Sequence, residues 1–227
     1  MTRTLITGAS AGLGRALGRA LATRRHELIL TGRDPARLAA LHAELPEATL
    51  IAGDVADPAH RAALATAVGP ELDLLIHNAS LLGPSPLVPL ERLGSEQLRQ
   101  ILEVNVVAPA ALTALLLPAL HRAAGTIVTI SSDAAIEHYA GWGGYGASKA
   151  ALDHLAGTWA AENPGVRAYA IDPGDMRTAM HQAAFPGEDI SDRPLPEEIA
   201  VPGILALLDN APPSGRYRAA DFTEETR

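Results

Sequence analysis

Six apolar runs of strand length pass through this chain, and each leads into a segment of helical period. They are "RTLIT" (3–7), "ELILT" (27–31), "ATLIAG" (48–53), "LDLLIH" (72–77), "GTIVTIS" (125–131) and "VRAYAI" (166–171). Strands and helices that alternate this way imply a parallel sheet covered on both faces, because each crossover carries its helix back over the sheet. Helices are expected near 12–23, 95–121, 144–161 and 197–209, with a short last strand at "RYRA". Two more begin at Asp34–Pro35 and Asp57–Pro58, each pair reading as N-cap and first helical residue. A polar, proline-rich stretch reads as a mobile lid near 178–198. With 227 residues, no repeat and no linker, the expectation is one domain over 1–227, an α/β doubly wound, mostly parallel sheet.

Composition excludes several function classes. The net charge is −8 and the basic residues are scattered, so no basic face for nucleic acid is expected. There are no cysteines, hence no disulfide and no thiolate metal site, and no metal is expected. The stretch "APAALTALLLPAL" (108–120) is too short for a bilayer and contains prolines. The start "MTRTLITGAS" runs into a strand with no signal-peptide core. The expectation is a soluble, cytoplasmic protein.

Such sheets bind ligands beyond the carboxyl ends of their strands. The polar and glycine-rich residues gather there, at 7–14, 32–34, 53–55, 77–80, 131–133 and 171–178. In "TGASAGLG" (7–14), Gly8, Gly12 and Gly14 stand between the first strand and the first helix. Glycines there permit a tight turn and let a pyrophosphate approach a helix N-terminus. The alternative is a turn that only connects strand to helix. The expected fold is therefore Rossmann-type. The second strand ends "LTGRD", with Gly32 where an acid would bind a ribose 2′-hydroxyl, and Arg33 next. An arginine there accommodates a 2′-phosphate, so NADP (NADPH) is expected in preference to NAD. Asp34 is the other candidate acid, but it also reads as the cap before Pro35.

Lys149 is the only lysine beside 17 arginines, and Tyr145 precedes it by four residues. On a helix the two share a face, about 6 Å apart along the axis. A phenol with a pKa near 10 is a poor proton carrier at neutral pH, and a nearby ammonium favours phenolate. Ser132 ends the fifth strand, where a hydroxyl can hold a carbonyl oxygen, or simply form a turn. Ser131 should face the other way. Asn105 lies in an apolar helix four residues before Pro109, which leaves its carbonyl without an intrahelical donor and offers a place for an ordered water. The alternative is a buried, satisfied asparagine.

These residues together carry a resemblance. "TGASAGLG", "GDV" (53–55), "HNAS" (77–80), Asn105, "ISS" (130–132), Tyr145-x-x-x-Lys149 and "DPGDMRT" (172–178) fall in the order and spacing of the short-chain dehydrogenase/reductase family. The resemblance implies Tyr145 as proton donor, Lys149 lowering its pKa and bonding the nicotinamide ribose, Ser132 orienting the carbonyl, and Asn105 holding a relay water. It implies cofactor contacts from Gly8, Ser10, Gly12, Leu13, Gly14, Arg33, Asp54, Val55, Asn78, Ala79, Ser80, Tyr145, Lys149, Pro173, Gly174 and Thr178. It also implies a homodimer or homotetramer. The family's usual Asn-Asn-Ala-Gly is "HNAS" here, so His77 and Ser80 depart from it, and Ser80 adds a side chain where the cofactor packs on bare backbone.

The function expected is NADPH-dependent reduction of a small-molecule carbonyl, or the reverse oxidation. A non-catalytic NADP(H) sensor or scaffold is the alternative, and it would need only the glycine loop. A sugar-nucleotide epimerase is a third reading, for which no residues remain to build a substrate domain. Leu81, Leu82, His138, Tyr139, Trp142, Met180 and Phe185 are candidate pocket residues.

Overall fold

The structure, a computed structural model, describes residues 1–223; residues 224–227 of the expected domain lie outside the described residues. In chain order the main elements are β1 (Arg3–Ile6), α1 (Gly12–Thr23), β2 (Glu27–Gly32), α2 (Pro35–Glu44), β3 (Thr49–Ala52), α3 (Pro58–Val68) and β4 (Leu74–His77). They continue with α4 (Ser95–Leu102), α5 (Ala108–Ala123), β5 (Thr126–Ile130), α6 (Gly143–Glu162), β6 (Arg167–Asp172), α7 (Ala179–Ala184), α8 (Ala200–Asn210) and β7 (Gly215–Arg218).

The strands form one seven-stranded parallel sheet in the order β3-β2-β1-β4-β5-β6-β7. The chain winds outward from β1 to one side and then, from β4, to the other. That reversal opens a crevice at the carboxyl ends of β1 and β4.

Each strand sends alternate residues to opposite faces, and both faces are dry. Ile6, Leu28, Leu30, Ile76, Val128, Tyr169 and Ile171 pack under α1 and α8. Leu5, Ile29, Leu75, Ile127, Ala168 and Ala170 pack under α3, α5 and α6. This two-sided burial explains why the strands read as continuous apolar runs rather than as alternating ones. Asp34 caps α2, its carboxylate accepting from the N–H of Ala36 at 3.0 Å and of Arg37 at 3.1 Å. Asp57 caps α3 through Ala59 N–H at 2.9 Å.

The helix expected over 95–121 is longer and less regular than its sequence suggests. Ser95–Ala123 is one 29-residue helical run, long and apolar enough by composition to cross a membrane. Its inner face is instead core: Ile101, Leu112, Leu116 and Leu120 are buried. A π-helical turn at Glu103–Val107 separates α4 from α5. Pro109 accounts for its place, since a proline has no N–H to give the carbonyl of Asn105 and the backbone must widen there.

His77, at the end of β4, lies on the helix side of the sheet and not in the crevice. Its Nε2 shares a hydrogen bond of 2.8 Å with Thr113 Oγ1, and its ring lies 6.0 Å from that of Trp159. Burial pushes the imidazole down to about 3 from 6.5. The folded state therefore holds it neutral while the unfolded chain binds a proton. The stability from this group is complete above pH 6.5 and is lost as the pH falls toward about 3. Half-buried His26 and buried His60 act in the same direction. An asparagine at 77 has no proton to gain, so His77→Asn should flatten the fall of the urea midpoint over this range. A slope equal to wild type would assign the acid sensitivity to other groups.

Candidate active site

The carboxyl ends of the strands enclose a crevice of about 810 Å³. Its floor at β1 is the glycine loop. Gly8 and Gly12 have φ of +66° and +52°, left-handed backbone that a glycine adopts without strain. The N-cap of α1 is Ala11, with no side-chain cap, and the first turn carries no acid. The leading N–H groups of α1 are thus left for a ligand. Asn78, at the end of β4, reaches back across the crevice floor. Its Nδ2 donates to the carbonyls of Thr7 at 2.9 Å and Gly8 at 3.0 Å. Thr7 Oγ1 in return accepts from the N–H of Asn78 at 3.1 Å and of Ala79 at 3.0 Å. Asn78 is therefore a brace for the loop as much as a wall of the crevice.

Most of the expected cofactor residues line this one space: Gly8, Ser10, Gly12, Leu13, Arg33, Asp54, Val55, Asn78, Ala79, Ser80, Pro173, Gly174 and Thr178. Gly14 does not. It is buried behind the loop, where a Cβ would strike Asn78 Nδ2 and the Gly8 carbonyl oxygen. Its smallness lets α1 close on β1 and β4. The reading of Asp34 as cap holds, although Asp34 also borders the crevice. Arg37 borders it too, one turn beyond Arg33, and pairs with Asp34 at 3.2 Å. The helical spacing from the cap was the available signal for it.

At the other end, Ser132, Tyr145 and Lys149 face the same space. Tyr145 and Lys149 come from α6 and are 9% and 2% exposed. Lys149 Nζ donates to the carbonyl of Ile130, at the end of β5, at 2.7 Å. It lies 5.4 Å from the Tyr145 ring centroid. Burial pushes the ammonium down to about 8, against the charge of Asp153. Tyr145 departs from expectation: its phenol stands well above the ordinary value. Burial is the largest cause, the charges of Asp133 and Asp172 add to it, and hydrogen bonds from Ser80 and Ser132 oppose it. Lys149 is aimed at the strand end and not at the phenol, because a buried ammonium needs an acceptor and the Ile130 carbonyl is one.

Asn105 is buried and fully engaged. Its Oδ1 accepts from Leu81 N–H at 2.7 Å and from Ser80 Oγ at 3.3 Å. Its Nδ2 donates to the Leu81 carbonyl and to Ser148 Oγ, both at 2.9 Å. The side chain thus matches the satisfied-asparagine reading. Ser80 is the unexpected member: the hydroxyl that departs from the family pattern bridges Asn105 toward Tyr145. Ser131 turns away from Ser132, as expected, and its hydroxyl donates to Asp153 at 2.8 Å. Among the candidate pocket residues, Trp142 and Met180 line the crevice. Phe185 stands behind Trp142 at 6.0 Å between rings, Leu82 is buried, and exposed Tyr139 donates to Asp133 at 2.9 Å. Asp172 and Met176 line the space from the expected 171–178 segment and His181 from the expected lid segment, while Val104 lines it without having been expected there.

The model of the family described as short chain dehydrogenase matches residues 2–189. The chain belongs to this family. Short chain dehydrogenases are oxidoreductases, and so is this protein. It is 33% identical over 207 residues to the oxidoreductase YciK of Escherichia coli, covering 86% of this chain and 81% of that one. It is 35% identical over 193 residues to the (S)-benzoin-forming benzil reductase IRC24 of Saccharomyces cerevisiae, covering 78% and 73%. A short chain dehydrogenase structure from Pseudomonas syringae matches with a TM-score of 0.89 at 36% identity, over 96% of this chain and 94% of that one. Another, from Escherichia coli CFT073 and complexed with NADPH, matches at 0.87 and 31% identity, over 96% of each.

The two kinds of glycine in this short chain dehydrogenase should separate in stability. Gly14→Ala should lose about 1–3 kcal/mol, because the methyl meets braced backbone and amide. Gly157, in the middle of α6, has nothing within 4 Å of an added Cβ. Gly157→Ala should gain about 0.5–1 kcal/mol. Urea denaturation of both variants checks this; a neutral Gly14→Ala would mean that α1 can shift away from β4.

Proposed function

We propose that this chain reduces a small-molecule carbonyl with NADPH, or oxidises the matching alcohol, at Tyr145. The observation that carries the reading is the meeting of Ser132, Tyr145 and Lys149 at one end of a crevice whose other end is a glycine loop. The donor set suits a dinucleotide: uncapped helix amides at α1 for a pyrophosphate, and Arg33 with Arg37 for a 2′-phosphate. When bound, the nicotinamide supplies the hydride. The protein's own part is the proton. Ser132 and Ser80 hold the carbonyl oxygen beside the phenol, and the Tyr145 hydroxyl protonates it. Lys149, 5.4 Å from the Tyr145 ring centroid, places a positive charge near the resulting phenolate and would bind the nicotinamide ribose. A mere NADP(H) sensor would have no use for two hydroxyls around a buried phenol.

The edge-on contact of Trp142 with Tyr145, at 5.7 Å between ring centroids, favours a flat, aromatic ketone. The segment 178–198, with α7 and Met180 and His181 over the crevice, acts as the substrate lid of a single catalytic domain. Val107 at the end of the π turn and Leu115 of α5 are exposed, and a second copy in a homo-oligomer would cover them. The acidic, cysteine-free composition suits the cytoplasm.

A panel of aromatic ketones headed by benzil, the substrate named for the yeast relative, tests the reading through loss of NADPH absorbance. Tyr145→Phe and Lys149→Arg should each lose at least about a hundredfold in turnover. The phenylalanine lacks the proton, and a planar guanidinium cannot replace a compact ammonium. Wild-type turnover by the arginine variant would end the assignment of Lys149. Cofactor titrations give a separate check. Arg33→Ala should weaken NADPH far more than NADH, and equal losses would remove Arg33 from the 2′ site.

A further inference from the structure

Lys149 is a buried cation whose one protein hydrogen-bond acceptor is a neutral carbonyl. Desolvation of an ammonium in such a place is expensive and favours the neutral amine unless a negative charge stands near. The elements packed around it supply the following groups. From α6 come Tyr145 and Asp153, from β5 the Ile130 carbonyl and Ser131, and from the turn after β5 Asp133. From the end of β6 comes Asp172, and from β7 Arg216.

Asp153 follows Lys149 by four residues on α6, so the two share a helix face about 5–6 Å apart. Its side chain is largely buried, and one oxygen is fully engaged: Oδ2 accepts from Ser131 Oγ at 2.8 Å and from Arg216 Nε at 3.0 Å. The other oxygen, Oδ1, is buried with no hydrogen-bond partner among the described residues. Arg216 spans the strand ends. Its Nη2 donates to the Ser132 carbonyl at 2.9 Å and lies 3.5 Å from Asp172 Oδ2. Lys149, Arg216, Asp153 and Asp172 thus form a set of two cations and two anions at the crevice wall, which Lys149 and Asp172 line.

We propose that Asp153 is the buried counter-ion of Lys149, clamped by Ser131 and Arg216, and that it keeps the single lysine charged. Asp153 acts through Lys149 and is a positioning residue, not a catalytic one. Burial pushes the Asp153 carboxyl up, and the Ser131 hydroxyl and Arg216 guanidinium oppose that push and favour its ionised form. The Asp153 charge in turn favours the ammonium against burial. Arg216 also fixes the carbonyl of Ser132, so β7 holds the serine and the counter-ion with one side chain. The functional meaning of the clamp rests on Lys149 being the ammonium at the reacting centre.

One lysine in the chain makes a direct test practicable. Protein grown with lysine labelled with carbon-13 at Cε gives one side-chain signal, that of Lys149, and its pH titration needs neither substrate nor cofactor. Asp153→Asn is nearly isosteric and removes only the charge. It should move the Lys149 midpoint down by about one unit or more. An unchanged midpoint overturns the proposal, even if the variant is less stable, because a purely structural carboxylate would leave the titration alone. Should Asp153→Asn fail to fold, Asp153→Ser removes the same charge with a smaller polar side chain; the midpoint should again fall, and an unchanged midpoint again overturns the proposal. The turnover of Tyr145→Phe separates the two readings. Full activity there would end the catalytic assignment while leaving the Lys149 titration as it was.

Discussion

One side-chain amide joins the two strands between which the chain changes direction. Asn78 sits at the end of β4 and donates to two carbonyls at the end of β1, while Thr7 takes the returning N–H groups. Parallel neighbours bring their ends together but leave those ends without ladder partners, and a crevice between them would otherwise be lined by unpaired backbone. The brace satisfies those groups and holds the left-handed turns of Gly8 and Gly12 open. Everything placed around the crevice refers to that fixed floor: the bare start of α1, the arginines beyond β2 and α7 beyond β6.

The Tyr145 end of the crevice is built differently, by charge and hydroxyl groups imported from far along the chain. Ser80, Asn105 and Ser148 form a connected run behind Tyr145, and Ser131, Asp153 and Arg216 form a second behind Lys149. Both runs are at least partly buried, and both tie α6 to neighbouring segments. In a low-dielectric interior such runs are stable only when nearly every donor and acceptor is matched. The exception, Asp153 Oδ1, lies one helical turn from the buried ammonium.

The departures from the family pattern divide by the side of the sheet they face. His77 points into the core between Thr113 and Trp159 and adds an acid-sensitive group there. Ser80 lines the crevice and donates to Asn105. His77 is the last residue of β4 and Ser80 lies three residues on, in the loop, so the two substitutions meet different surroundings.

The order of strands and helices, the caps at Asp34 and Asp57, the glycine loop and the Tyr145–Lys149 pair were legible in the sequence. Each depends on residues within one or two turns of one another, where period and spacing carry the information. Packing on both faces also follows from the sequence, since strands apolar throughout can only be covered on both sides. The tertiary structure alone decided the rest. Arg216 meets Ser132 across 84 residues and Asp153 across 63, and nothing local at "RYRA" points to either. Gly14 reads as one more cofactor glycine until Asn78 is found against it. Burial decided the charges: a phenol raised and an ammonium lowered are properties of the surroundings, and those surroundings exist only when the sheet has brought its strand ends together.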